Sequence, residues 1–423
     1  MPHPFVILAG KTIRAAARLR GGGSALPGLF VEKVDPLFIK ETLATLPYGT
    51  VVISGTNGKT TTTKMVVSLL EAHGLRVFTN RTGSNFIRGV AAALLKDVSL
   101  NGTLAADIAV LELDEAHAVK FVETIQPRHS LILNVMRDQL DRFGEIDATA
   151  ELLSKIASAT TETVTLNRED PRIRRIAESL GEQNIEYFGL SDNLLASFPS
   201  DDDMRSVSGV KAVPRPPATV TLQRYEGNQA TFHIGTKSYN TTLKITGVYN
   251  VFNSAAALAT TKAILGEAFD APTAITALAN VTPAFGRGEI LRVNGQPLEL
   301  VLVKNPSGFR LGLSSFPAEG YATMIAINDN YADGRDMSWL WDVDFDSLKE
   351  LGVSQVSGIR AYDMSLRLQY DEITIAHVDP DLTSALKQFL GGNAGPKRIY
   401  CTYTAMLAIR RDLSKITHVE VVS

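Results

Sequence analysis

Gly58, Lys59 and Thr60 follow one another in Ser54-Gly55-Thr56-Asn57-Gly58-Lys59-Thr60-Thr61. A lysine and a hydroxyl placed directly after a glycine suit phosphate chemistry. Glycines let backbone N–H groups close on phosphate oxygens, the lysine meets the outer phosphates, and the hydroxyl reaches a magnesium ion. The common pattern G-x-x-x-x-G-K-[ST] begins one glycine earlier, and Ile53 stands at that position. On the pattern alone, a plain strand-to-helix turn is the alternative.

The elements that must position this loop are legible. "VVISG" reads as a buried strand and "TTTKMVVSLLEAHG" as a helix ending at Gly74, so the loop lies at a helix N-terminus, where the helix dipole favours anions. "RVFTN", "DIAVLEL", "HSLILNV" and "TVTLN" are further strands, separated by the helical runs "IRGVAAALLKD", "DEAHAVKFVETI" and "ATAELLSKIASA". Such alternation predicts α/β architecture with a parallel sheet and helices on both faces. After about residue 190, "SDNLLASFPSDDDMRSVSGVKAVPRPP" reads as a long polar loop. "TVTLQRYEGNQATFHIGTKSYNTTLKI" reads as antiparallel strands and "GVYNVFNSAAALATTKAILG" as helix. "TPAFGRGEI" reads as a linker, and "LELVLVKN", "ATMIAIND", "VSQVSGI" and "RIYCTYT" as the strands of a second α/β unit.

The 423 residues are too many for one compact core. With 45% hydrophobic and 21% charged residues and a net charge of −3, the chain has an ordinary globular composition, with no overall pull toward nucleic acid. The single cysteine, Cys401, excludes an intrachain disulfide framework and a cysteine-rich zinc site. The opening apolar run is followed rather than preceded by basic residues, which makes a poor signal peptide. Arg14, Arg18 and Arg20, close to the stretch Gly21 to Gly28, read as a solvated helix end or as a contact for anionic lipid or phosphate.

"GTNGKTTTT" resembles the ATP loop of the Mur ligase superfamily. "LELDEA", "NVMRDQLDRFGEID", "TLNREDP", "GVYNVFNSAAALA" and "FGRGE" resemble further segments of that family in the same order. "VKNPSGF", "NDNYADGRDMSWLWDVDF", "SGIRAYDMSLRLQY" and "YTAML" resemble the MurT branch, the ligase subunits that amidate the D-glutamate of lipid II. The resemblance implies a short N-terminal segment (1–48), a central ATP-binding domain (49–286, with a variable insertion at 190–245) and a smaller C-terminal α/β domain (287–423). It further implies ATP and Mg²⁺ as cofactors and a cytoplasmic enzyme acting at the inner face of the cytoplasmic membrane.

In that setting Gly55, Thr56, Asn57, Gly58, Lys59, Thr60 and Thr61 are expected to hold the nucleotide phosphates, and Thr60 and Glu112 the magnesium. Glu115, at a helix start, is the weaker candidate. Asn250 and Asn253, three apart on one helical face, are candidates for nucleotide contact, with helix capping as the alternative. Arg287 and Lys304 would reach the same cleft from the hinge and the C-terminal domain. The sequence also departs from the family. Gln139 replaces the usual histidine of a second metal site, which puts that site in doubt, since glutamine is the weaker ligand. Lys155 lies where relatives carry a carbamoylated lysine, and a helix-surface lysine is the alternative. No structural zinc is expected, because the four-cysteine ribbon common in this branch is missing.

The nitrogen source follows by elimination and resemblance together. A glutaminase needs a nucleophilic cysteine paired with histidine, and Cys401 lies in an apolar strand. The resemblance implies a GatD-type glutamine amidotransferase as heterodimer partner, with Asp336 (alternative Asp333) orienting that partner's histidine. The alternative for both aspartates is a turn or helix cap. Trp339 and Trp341 are candidates for interface anchors or for plain packing. The expected reaction is ATP-dependent conversion of the D-glutamate α-carboxyl of the lipid II stem peptide to D-isoglutamine, through an acyl phosphate. A stand-alone amino-acid ligase of Mur or folylpolyglutamate type, and a non-catalytic ATP-binding scaffold, are the competing readings.

Overall fold

The computed structural model describes residues 4–19, 25–80, 86–136, 146–197, 215–245, 247–283, 287–316, 318–392 and 395–419. Three helices, α1 (Pro4–Leu19), α2 (Ala25–Val34) and α3 (Phe38–Leu43), precede the first sheet. That sheet has the order β2-β3-β1-β4-β5-β6-β7-β8-β9. Its strands are β1 (Thr50–Ser54), β2 (Val77–Thr79), β3 (Ile108–Glu112), β4 (His129–Ile132), β5 (Thr163–Asn167), β6 (Asn184–Leu190), β7 (Val220–Glu226), β8 (Gln229–Ile234) and β9 (Lys237–Thr242). Pairing is parallel from β2 through to β7, and the β7-β8-β9 meander is antiparallel.

β1 shows why the sheet is covered on both faces. Successive side chains of a strand point to opposite faces. Val51 and Ile53 pack on the face covered by α4 (Lys59–Ala72), α9 (Val248–Leu265) and α10 (Ala271–Asn280). Val52 joins the opposite core, beneath α1–α3, α5 (Ile87–Asp97), α6 (Glu115–Val122), α7 (Ile146–Ser158) and α8 (Pro171–Ile176). A strand buried on both sides must be apolar throughout, as "VVI" is.

The second sheet runs β10-β11-β15-β12-β13-β14. Its strands are β10 (Arg287–Val293), β11 (Gln296–Leu302), β12 (Ala322–Ala326), β13 (Val353–Ser357), β14 (Ile375–Asp379) and β15 (Lys397–Cys401). α11 (Pro306–Ser315), α12 (Ala361–Tyr370), α13 (Leu382–Gly391) and α14 (Tyr403–Leu413) accompany it. The stretch read as a linker ends differently. From Arg287 it is strand β10, antiparallel to β11. Asn294 and Gly295 both have positive φ, 51° and 78°, the backbone of a two-residue hairpin turn, for which Asn-Gly is the preferred pair. Phe316, which closes α11, lies against Gly247 at the start of α9, so the two sheets' layers touch.

Candidate functional site

β1 delivers the chain to the loop at the C-terminal edge of the sheet, where parallel α/β folds gather ligands. Gly58 caps α4 with φ 87°, a conformation that favours glycine. A Cβ there would stand 2.1 Å from Asn253 Nδ2 on α9, so the helix and the loop meet through the missing side chain. The loop is stitched to the exit of β4. Asn57 N–H donates to Asn134 Oδ1 at 2.9 Å, and Asn134 Nδ2 donates to Asn57 O at 2.9 Å. Met136 N–H donates to Thr56 Oγ1 at 3.0 Å. Val135 N–H donates in turn to the buried carboxylate of Asp170, which also caps α8.

Lys59 is buried, and its Nζ lies 2.5 Å from Gly55 O, 3.4 Å from Glu115 Oε2 and 3.7 Å from Asp114 Oδ1. Burial pushes the Glu115 carboxyl up to about 7, against the opposing pull of the Lys59 ammonium. Thr60 Oγ1 donates to Glu112 Oε1 at 2.8 Å. Asn80 fixes the Glu112 backbone by accepting from its N–H and donating to its carbonyl. The Thr61 hydroxyl is buried with no partner among the described residues. From the second sheet, Lys304 Nζ reaches Thr56 O at 3.2 Å. The structure thus gathers Gly55 to Thr60, Glu112, Asn253 and Lys304. Asn250 lies one turn earlier on α9, half-buried. Lys155 is exposed on α7. Gln139 and the side chain of Arg287 lie outside the described residues.

Phosphates and a magnesium ion fit these donors. The loop has helix N–H groups without intrahelical acceptors, a glycine where a Cβ would block approach, two lysines, and a hydroxyl–carboxylate pair of the oxygen ligands magnesium takes. Among the described residues no group of three His, Cys, Asp or Glu could hold a metal by itself. Magnesium here needs oxygens from phosphate and water beside Thr60 and Glu112.

The two candidate aspartates of the second sheet differ. Asp333 is buried and accepts from Thr404 N–H, Thr404 Oγ1 and Asn330 N–H, so it is spent on tying its turn to the start of α14. Asp336 is half-exposed. Its Oδ1 accepts from Ser338 N–H at 2.9 Å, and hydrogen bonding from the Ser338 side chain, then from its backbone, holds the carboxyl below its ordinary range. Cys401 is fully buried in β15, and burial pushes its thiol up. Trp339 is buried, whereas Trp341 is 48% exposed and meets the Tyr370 ring edge-on at 5.5 Å.

Asn134, Asn80 and Asp170 are the structural partners that the sequence reading did not single out. All three lie in or beside quoted segments. Their signal was a polar residue at the end of a buried strand or at a helix N-cap, where a backbone group would otherwise stay unpaired.

Residues 53–261 match the family model for the Mur ligase middle domain, and residues 302–406 that for the MurT ligase C-terminal domain. The MurT subunit of lipid II isoglutaminyl synthase (glutamine-hydrolyzing) from Streptococcus pneumoniae (strain ATCC BAA-255 / R6) is 30% identical, over 96% of this chain and 96% of its own. Its counterpart from Staphylococcus aureus (strain COL) is 28% identical over 86% and 87%. The MurF ligase of Thermotoga maritima, solved in complex with ADP, shares the fold with a TM-score of 0.66 at 18% identity, covering 92% of this chain and 83% of that one. The chain belongs to the MurT family of Mur-type ligases.

Proposed function

We propose that this chain is the ligase subunit that amidates the D-glutamate α-carboxyl of the lipid II stem peptide, using ATP and ammonia released from glutamine by a GatD-type partner. One observation carries the reading: a phosphate loop, touched by Lys304 from the C-terminal domain, sits in a chain whose only thiol is buried in a strand. A carboxylate resists attack by ammonia until it is activated as an acyl phosphate. Lys59, Lys304 and the N-terminus of α4 neutralise charge on the transferring phosphoryl group and align it with the carboxylate. Magnesium, held by Thr60 and Glu112, supplies further charge neutralisation when bound. Asn253, and Asn250 beside it, face the nucleotide from α9, and Arg287 lies at the hinge.

Asp336 is the residue offered to the partner, since it is half-exposed whereas Asp333 is buried and locked inside. It would fix the partner histidine's tautomer and stabilise its charged form. Beside it α12 exposes Tyr362, Leu366 and Tyr370 along one stripe, with Ile359 exposed two residues before the helix and Trp341 against Tyr370 at the stripe's end. Exposed aromatic anchors of this kind characterise protein interfaces. On this reading the substrate is lipid-borne and the chain works at the inner membrane surface; no described helix is long and apolar enough to cross a membrane.

The test is mass spectrometry of lipid II incubated with purified chain, ATP and glutamine, with and without the partner. Conversion of carboxyl to amide only with the partner is expected. Addition of a whole amino acid without it would establish a stand-alone ligase, and no ATP turnover in either case a scaffold.

A further inference from the structure

The helix α1 is amphipathic in an unusual sense. Val6, Ile7, Gly10 and Ala17 are buried in the layer beneath α5, as a surface helix requires. The opposite face of such a helix is ordinarily charged. Here every exposed position described on α1 is uncharged: Pro4, Phe5, Leu8, Thr12, Ala15 and Ala16. Phe5 is 80% and Leu8 52% exposed. Lys11 and Arg14 sit half-buried at the border of this face. α2 exposes Leu26 and Val34, and the turn before α3 exposes Leu37. Charge is distributed to match. Residues 1–48 carry six Lys and Arg against three Asp and Glu, a balance of +3, whereas the whole chain is at −3 and the remainder therefore at −6.

We propose that α1 is a membrane-surface helix that seats Phe5 and Leu8 in the headgroup layer of an anionic bilayer, with Lys11 on the lipid phosphates. The inference rests on the lipid II reading above, which requires the chain to meet its substrate at a membrane. An apolar outer face bordered by basic residues is the pattern of helices that lie in the interface plane, where long cationic side chains reach up to the phosphates. At 16 residues α1 is too short to span the roughly 30 Å hydrocarbon core. A local +3 on an acidic chain orients this face toward a negative surface and turns the rest away.

The experiment is co-sedimentation of the full chain, alone and with its partner, with vesicles of phosphatidylglycerol and phosphatidylcholine or of phosphatidylcholine alone. The wild type is expected to bind the anionic vesicles and to be released by salt. The double variant Phe5→Glu/Leu8→Glu is expected to lose about tenfold or more in vesicle affinity, and Lys11→Glu less. ATP affinity and melting temperature should stay unchanged, because both side chains are outside the core. With lipid II in vesicles the double variant should be slowed, and with lipid II in detergent micelles it should match wild type. Wild-type chain that ignores anionic vesicles, or a double variant that binds them equally, overturns the proposal. So does a double variant that instead dissociates a dimer or the heterodimer, which would assign the face to a protein. Failure of the amidation reading is distinct: it is absence of product in micelles, whatever the vesicles show.

Discussion

Gly58→Ala tests the phosphate loop at its tightest point, and Gly74→Ala supplies its control. The two glycines flank α4, and both have φ 87°. An alanine forced into that region is strained by about 1–2 kcal/mol at either end. Their surroundings differ. At Gly74 an added Cβ meets nothing within 4 Å, whereas at Gly58 it would stand 2.1 Å from Asn253 Nδ2. Asn253 is buried, so its amide can move only by giving up its place, at about 1–3 kcal/mol for a buried polar group left unpaired. Gly58→Ala should therefore weaken ATP binding by roughly 5- to 150-fold beyond any effect of Gly74→Ala. Calorimetric titration of ATP into both variants measures this, with thermal unfolding alongside. Both variants should melt below wild type, and only Gly58→Ala should lose ATP. Wild-type affinity in Gly58→Ala, or equal losses in the two, would refute the view that α9 and the loop meet through this glycine.

Asp336→Asn should abolish glutamine-dependent amidation in the heterodimer while amidation driven by added ammonium salt persists, and Cys401→Ala should leave both intact; the two nitrogen sources are compared by product mass. Leu366→Asp, on the exposed α12 stripe, should weaken the heterodimer by tenfold or more in sedimentation or surface binding without changing ATP affinity, an effect on the order of a hot spot. Glu115→Gln should alter the pH dependence of stability. The Glu115 carboxyl is raised from 4.5 to about 7 in the folded chain, so the folded state holds its proton more tightly, and stability falls as pH rises from about 4.5 through 7. Melting curves across that range should show the wild type losing ground to Glu115→Gln toward pH 8; parallel curves would refute it.

The strands and helices around the loop were legible because their signals are local: apolar runs of strand length, glycine stops, and a lysine after a glycine. β10 was misread as linker since its edge position leaves Arg287, Glu289 and Arg292 polar, and the Asn294-Gly295 turn was passed over. β6 and β14 escaped for a related reason. "NIEYFGL" and "IAHVD" are mixed in polarity because one end or one face is exposed, so neither period nor apolarity marks them. The ATP loop could be named from its own residues, but its support could not. Asn134 lies 77 residues from Asn57, and Lys304 lies 248 from Thr56, and no window of sequence links residues so far apart. The choice between Asp333 and Asp336 likewise depends on Thr404, which only the fold brings near.

The contact of Lys304 with Thr56 has a thermodynamic consequence. The lysine leaves β11 in one sheet, and the threonine leaves β1 in the other. If nucleotide prefers the arrangement in which they meet, it shifts the population of that arrangement, and the same free energy must return as tighter nucleotide binding whenever anything else favours it. The C-terminal domain that carries Lys304 also carries Asp336 and the α12 stripe. A protein docking there is thereby linked to the occupancy of the loop, and the sign and size of that linkage are readable as a change in ATP dissociation constant between the free and the assembled chain.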